Sequence, residues 1–266
     1  MDPAFIIGLV LAFGALLAMI SIEGAHVTAL LLPAPMVLVF GATIAVGIAS
    51  STMKDALLAV KALPKVVRGK SPSLTATIDD VVGYAERARR EGLLSLENDA
   101  NEASDPFVKS GLQNIADGTD AEDLRIMLED EISTTASRNR IAARFFSLMG
   151  GFAPTIGIIG TVVSLTHVLE RLDTPETLGP LIATAFVATL WGLLSANFIW
   201  LPIGMRLARL GELEVERKTL LMEGLLAVQA GSQPRLVDER LRALVADGPS
   251  RKERDSSSDI TSSQAA

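Results

Sequence analysis

Three hydroxyls, Thr161, Ser164 and Thr189, lie deep inside two stretches, residues 145–169 and 179–205, that contain no carboxylate, lysine or arginine. Hydroxyl oxygens can accept hydrogen bonds, line a path for water or help ligate a hard cation. They cannot carry a proton by titrating near neutral pH. Ion pumping through a membrane ordinarily needs an ionisable group there, because a charge in lipid is costly and must be held by something that titrates or coordinates. An ion crossing between these stretches therefore needs an acid supplied by a second chain.

Spacing gathers the hydroxyls into stripes. In "APTIGIIGTVVSL", residues 153–165, the residues Pro154, Gly157, Gly160, Thr161 and Ser164 recur at helical intervals. The second stretch repeats the device with Ala185, Ala188, Thr189, Gly192, Ser195 and Ala196. Bulky residues such as Ile158, Ile159, Val162, Phe186 and Leu190 mostly fall outside the stripes. Periodicity leaves two uses open. Small stripes let helices approach, with hydroxyls bonding to the preceding turn; or they line a cavity for a partner helix and a hydrated ion path. Pro154 removes an amide donor and frees a carbonyl one turn earlier, and Pro202 would kink the second helix near its end.

Other chemistries have little to stand on. The chain has no cysteine and only two histidines, His26 and His167, far apart. No disulfide, metal site or cofactor is expected, and no Ser/His or metal-ligand constellation suggests an enzyme. A net charge of −7 argues against nucleic acid as a partner. A self-contained transporter would show an intramembrane ionisable residue or a repeated pair of broken helices.

The positioning elements follow from composition. The chain is 49% apolar and yet 21% charged, which requires the two kinds of residue to be segregated. Apolar runs at 3–20, 34–51, 145–169 and 179–205 are each about the 20 residues that a membrane helix needs. Every lysine and arginine except Arg171 lies in 52–144 or after 205, so those segments and both termini are expected in the cytoplasm. The expected fold is an all-α integral membrane protein with four transmembrane helices. Residues 1–51 hold the first two spans and a short outer connection, and 52–144 a large helical cytoplasmic domain. Residues 145–205 hold spans three and four, lining the ion path, 206–246 a helical extension capped near Gly231, and 247–266 a disordered Ser-rich tail.

At this point the sequence resembles the MotA/PomA family, the larger subunit of the bacterial flagellar stator. The resemblance is carried by "EGAHVTALLLPAPMVLVFGAT" (23–43), "RREGLLSLE" (89–97), "GFAPTIGIIGTVVSL" (151–165), "AFVATLWGLLSANFIWLPIG" (185–204) and "EGLLAVQAGSQPRLVDERL" (223–241), in the family's order. It implies a homopentamer in the bacterial inner membrane around a dimer of MotB/PomB-like single-span partners, each supplying a membrane aspartate. Ion flow, with H+ favoured over Na+, would turn the ring against the rotor switch protein FliG. In that frame Thr161, Thr189, Ser164, Gly157 and Ala185 line the ion path, and Pro154 and Pro202 couple conformation to it. Arg89, with Arg90 as a possible stand-in, and Glu97 would face the rotor. On an unbroken helix Arg89 and Glu97 would share one side, but Gly92 between them could interrupt it. The nearest alternative is an ExbB/TolQ-type energiser of outer-membrane processes, which usually has three spans.

Overall fold

A computed structural model describes residues 3–24, 26–69 and 71–245. Every regular element among them is helical. In chain order these are α1 (Ala4–Ile22), α2 (Pro33–Ala49), α3 (Met53–Arg68), α4 (Leu74–Glu91), α5 (Leu96–Glu102), α6 (Pro106–Ala116), α7 (Ala121–Leu169), α8 (Pro175–Gln229) and α9 (Pro234–Leu244). The chain divides into two units, Met1–Ser71 with Ala136–Glu212, and Pro72–Thr135 with the residues from Leu213 onward. The 52–144 segment is thus split: α3 and the residues from Ala136 group with the apolar helices, and the rest with the segment after Leu213. The tail read as disordered from 247 lies outside the described residues.

In the first unit, α1, α7 and α8 are long and apolar enough to cross a membrane, and α2 is a shorter apolar helix. Along α1, Ile6, Ile7, Val10, Leu11 and Leu17 are exposed, an arrangement suited to lipid or to a neighbouring helix rather than to water. Pro33 opens α2, where a missing amide costs nothing. Two helices widen locally to π turns, Val37–Gly41 in α2 and Ser195–Trp200 in α8. Phe40 joins them, its ring lying 5.8 Å from Trp191 and 6.4 Å from Trp200. Pro202 follows the second π turn by two residues, so the wider turn absorbs the bond that its missing amide cannot make. The loop from α1 to α2 contains a 3-10 turn at Val27–Leu30, and the Trp191 indole N–H donates to the Leu30 carbonyl at 2.7 Å.

The second unit is a charged helical bundle with an apolar centre. Ser73 caps α4 through the Ala76 amide, and Asp105 caps α6 through the Phe107 amide. Ile78, Val81 and Ala85 on α4 pack in one core with Leu96, Phe107, Leu112, Leu128, Leu225 and Leu241. The α8 helix ends where Ser232 N–H donates to Ala227 and Gly231 N–H to Val228, with Gly231 at φ 68°. The helix thus ends at Gly231, the residue read from the sequence as its cap, and within the 206–246 segment α9 folds back so that Leu241 packs in that core.

Candidate functional site: a hydroxyl pair between two apolar helices

Segregation of side-chain size brings α7 and α8 together within the first unit. Along α7, Ala153, Ile156, Gly157 and Gly160 are buried, while Ile158, Ile159, Val162 and Val163 are exposed. Along α8, Ala185, Ala188, Gly192, Ser195 and Ala196 are buried and Phe186 is exposed. The buried stripes face each other. A Cβ on Gly157 would lie 2.9 Å from the Ala188 carbonyl oxygen and 3.1 Å from the Gly192 Cα. One on Gly192 would lie 2.8 Å from the Ala153 oxygen and 3.0 Å from the Gly157 Cα. Backbone therefore meets backbone, and only glycine fits at the crossing. Of the two uses of a small stripe, the single chain displays close approach.

One turn beyond the glycine crossing the two threonines meet. Thr161 Oγ1 lies 3.1 Å from the Gly157 carbonyl oxygen and 3.0 Å from that of Ala185, and it bonds directly to Thr189 Oγ1. A consistent assignment has Thr189 donating to Thr161, which in turn donates a hydrogen bond to one of the two carbonyls. Both residues are half-buried, so the pair is packed by helices on one side and open on the other. Ser164, one turn further along α7, is also half-buried. Ser195 is fully buried and donates to the Gly192 carbonyl at 3.2 Å. No acid or base takes part, and the arrangement can relay or ligate through oxygen but cannot itself release a proton.

Pro154 lies inside α7, one turn from Gly150, whose missing side chain is occupied by Leu201 of α8 at 2.6 Å from a would-be Cβ. The carbonyl that Pro154 leaves without its helical donor is that of Gly150. Pro202 sits next to Leu201. Each helix thus carries its proline beside the same packing contact.

The charged candidates belong to the other unit. Gly92, at φ 86°, ends α4, so Arg89 and Arg90 lie in its last turn and Glu97 in the first turn of α5. The unbroken helix that would align Arg89 with Glu97 is not what forms. All three side chains are exposed and make no ion pair among the described residues. The neighbouring arginine behaves differently: Arg87 is bound to Asp99 through two contacts of 2.8 and 2.7 Å. Sequence reasoning passed over Arg87, although its spacing of a turn from Tyr84, whose ring it covers at 5.4 Å, was readable. It also missed the Trp191–Leu30 bond and the two π turns. Among the described residues no group of His, Cys, Asp or Glu is placed to hold a metal.

Comparison with known proteins extends these observations. Residues 99–219 match the MotA/TolQ/ExbB proton channel family, and residues 6–88 match the motility protein A N-terminal family. Motility protein A of Bacillus subtilis (strain 168) is 32% identical over 91% of this chain and 90% of its own length. Chemotaxis protein PomA of Vibrio alginolyticus is 31% identical over 93% of this chain and 97% of its own. Among solved structures, MotAB of C. jejuni superposes with a TM-score of 0.89 at 26% identity, covering 94% of this chain and 98% of that one. The flagellar MotAB stator complex from Bacillus subtilis gives 0.83 at 31% identity, covering 94% and 97%.

Proposed function

The chain belongs to the motility protein A family within the MotA/TolQ/ExbB proton channels, and on that premise we propose how its residues serve a flagellar stator. As a stator subunit it forms an ion channel with a MotB-like partner and turns ion flow into torque. Five copies surround a dimer of single-span partners in the bacterial inner membrane, with both termini and the charged unit in the cytoplasm. The concentration of lysine and arginine in 52–144 and after 205 supports that orientation. The reading is of a non-enzymatic subunit without a cofactor.

The observation that carries the mechanism is the Thr161–Thr189 pair on helices without any acid. The partner's aspartate is the titrating group. Thr161, Thr189, Ser164 and the backbone at Gly157 and Ala185 form the wall against which it is loaded and discharged. To hold the aspartate in its charged form, the Thr189 hydroxyl turns from Thr161 and donates to the carboxylate, which can only accept. Loading the aspartate with a proton weakens that bond and frees the ring to advance. Each charge that crosses releases about 2.3 kcal/mol for every 100 mV of potential, enough for a modest step. Pro154 and Pro202 are the flexing points that let α7 and α8 follow the step. Arg89, Arg90 and Glu97 engage charges on FliG, which favours fast, steered and reversible contact over tight binding. Protons are the proposed coupling ion. The match of residues 6–88 to the motility protein A N-terminal family supports this reading over an ExbB/TolQ-type energiser.

Deletion of the gene in a flagellated host with no second stator tests the proposal. Swimming should stop, and should return on co-expression of the chain with its partner. An uncoupler should then stop swimming in sodium-free buffer; swimming that needs added sodium would assign the sodium ion instead. Unchanged torque in the deletion strain would refute the motor role.

A further inference from the structure

Helix α3, Met53–Arg68, has three faces where a surface helix normally has two. Ala56, Ala59 and Val66 are buried and cluster with Ala142, Phe145, Phe146 and Leu207 of the same unit. Met53, Leu57, Val60 and Val67 form a second apolar line that is 71%, 54%, 53% and 41% exposed. At 3.6 residues per turn these four fall within about 80° of one another, a single narrow stripe. Lys54, Lys61, Lys65 and Arg68 are exposed too, in a sector centred roughly 90° from the stripe and away from the buried face. The one acid of the helix, Asp55, is engaged with Thr52 in an N-terminal capping box.

Water alone is a poor medium for such a helix, because the stripe is contiguous and flat. Its position in the chain names a better one. Only residues 50–52 separate α3 from Ala49, where the apolar helix α2 ends. Lipid that surrounds α2 therefore reaches its boundary where α3 begins. A leaflet with anionic headgroups meets both demands of the helix at once: hydrocarbon for the stripe and phosphate for the cations. We propose that the Met53–Leu57–Val60–Val67 stripe seats in the headgroup–acyl boundary of the bilayer while Lys54, Lys61 and Arg68 bind anionic lipid phosphates beside it. The lysine and arginine stems are long enough to cover the stripe's edge while their charged ends reach the phosphates.

The absence of cysteine makes a single label clean. The full chain carrying Val60→Cys, labelled with an environment-sensitive fluorophore, is reconstituted into vesicles of phosphatidylcholine with or without phosphatidylglycerol, and brominated acyl chains serve as quencher. Strong quenching is the expected result, greater when phosphatidylglycerol is present. In the unlabelled chain, the ratio of phosphatidylglycerol to phosphatidylcholine retained on purification should exceed the ratio supplied. Each cation near an anionic surface is worth roughly fivefold in partition, so Lys54→Gln with Lys61→Gln and Arg68→Gln should reduce that enrichment by about tenfold or more. Equal quenching in both lipids, or enrichment unchanged in the triple variant, would overturn the proposal. So would a label that becomes accessible to lipid only when the oligomer is dissociated, which would show that a second copy covers the stripe. None of these readouts depends on motility, so they stand or fall separately from the motor assignment.

Discussion

The two units solve the problem of burying polar groups in opposite ways. Among the apolar helices buried hydroxyls turn to helix carbonyls and to each other: Thr161 finds Gly157, Ala185 and Thr189, and Ser195 finds Gly192. Thr43 Oγ1 and the Trp200 indole nitrogen are buried without a hydrogen-bond partner among the described residues. No formal charge is involved. The unit built on Pro72–Thr135 uses charge as its fastener. Lys218 joins Glu131 at 2.9 Å, Arg217 joins Asp105 at 2.6 Å, Arg240 joins Glu223 at 2.6 Å and Arg242 joins Asp79 at 2.8 Å. Where nearby water lowers the cost of a charge, ion pairs can select helix register; where lipid raises it, hydroxyls bonded to helix carbonyls are what remains. A wall of the second kind cannot titrate by itself. That is the physical reason why a family with this fold works with a partner.

The sharpest way to break the comparison is to remove the close approach on which the hydroxyl pair depends. Gly157→Val places methyl groups where the Ala188 carbonyl and the Gly192 Cα already stand. Backbone cannot yield as a flexible side chain can, so the cost should reach the upper part of the roughly 1–3 kcal/mol range for overpacking, or exceed it. Thermal unfolding of the purified chain should move down by many degrees and swimming should cease. If Gly157→Val folded and swam normally, the α7–α8 crossing would not be the element that places Thr161 against Thr189.

The matching test in the charged unit is Glu131→Gln. Lys218 has a side chain only 11% exposed, bonded to Glu131 and to Thr135 at 3.0 Å, and stacked 4.9 Å over Phe107. Removing the negative charge leaves a buried ammonium with only neutral acceptors, the new amide oxygen and Thr135 Oγ1, and an aromatic face. Because Glu131 itself is 40% exposed, water offsets part of the loss, and a cost of about 1–2 kcal/mol is expected. Chemical denaturation measures it. A double variant with Lys218→Met should recover much of the loss, since the unpaired charge disappears with it.

Much of this contrast was legible in the sequence. Charge-free runs gave the apolar helices, and glycine, alanine and threonine at helical intervals gave the stripes, since side-chain size leaves an arithmetic trace along a chain. What faces a stripe leaves no such trace. The bond from Thr161 to the Ala185 carbonyl depends on the register between two helices, which no local pattern records. The π turns at Val37–Gly41 and Ser195–Trp200 occur around the Phe40, Trp191 and Trp200 rings, so they belong to packing rather than to propensity. Choosing among Arg87, Arg89 and Arg90 likewise required knowing that Asp99 returns beside Arg87 after the turn at Gly92. Gly92 was readable as a possible interruption, but where it sends the chain was not.

Thr161→Val and Thr161→Ser sharpen the comparison by separating volume from hydrogen bonding. Valine keeps the shape and leaves Thr189 and the Ala185 carbonyl without their common partner. Hydrogen bonds between membrane helices average about 0.6 kcal/mol, so the stability loss should be small, about 0.5–1 kcal/mol. The effect on swimming should be much larger, with Thr161→Ser restoring most of it. Equal swimming by all three would mean that the hydroxyl pair is only a fastener.

A smaller effect is expected from pH in the charged unit. Burial raises the Tyr84 phenol above its ordinary value of 10.0, and Asp80 and Asp99 raise it further. The folded state therefore holds this proton more tightly than the unfolded one. Its contribution to stability is complete below the unfolded value and is lost as pH rises from there through the higher folded value. Tyr84 is the only tyrosine in the chain, so its ionisation can be followed by absorbance without interference. Asp80→Asn should bring the titration down toward the ordinary value; a midpoint at or below that of a free phenol in the parent would contradict the sign.

The smallest effect on stability should come from Arg89→Glu with Arg90→Glu, and here the comparison is most open to being broken. Both side chains are exposed and make no ion pair among the described residues, whereas Arg87 two positions away is fixed by Asp99. Exposed charges of this kind contribute little to folding, so the unfolding midpoint should not move. If they face a charged rotor surface, reversing them should still slow or stop swimming, and a compensating reversal on the rotor should restore it. Arg87→Ala is the control in the other direction: it should lower stability, because Asp99 loses its partner and Tyr84 its cover. In the apolar helices, by contrast, Gly157→Val should cost stability and motility together. A finding that Arg89→Glu with Arg90→Glu lowers stability as much as Arg87→Ala would remove the distinction between the two sets of arginines, and with it the structural ground for placing a partner at Arg89 and Arg90.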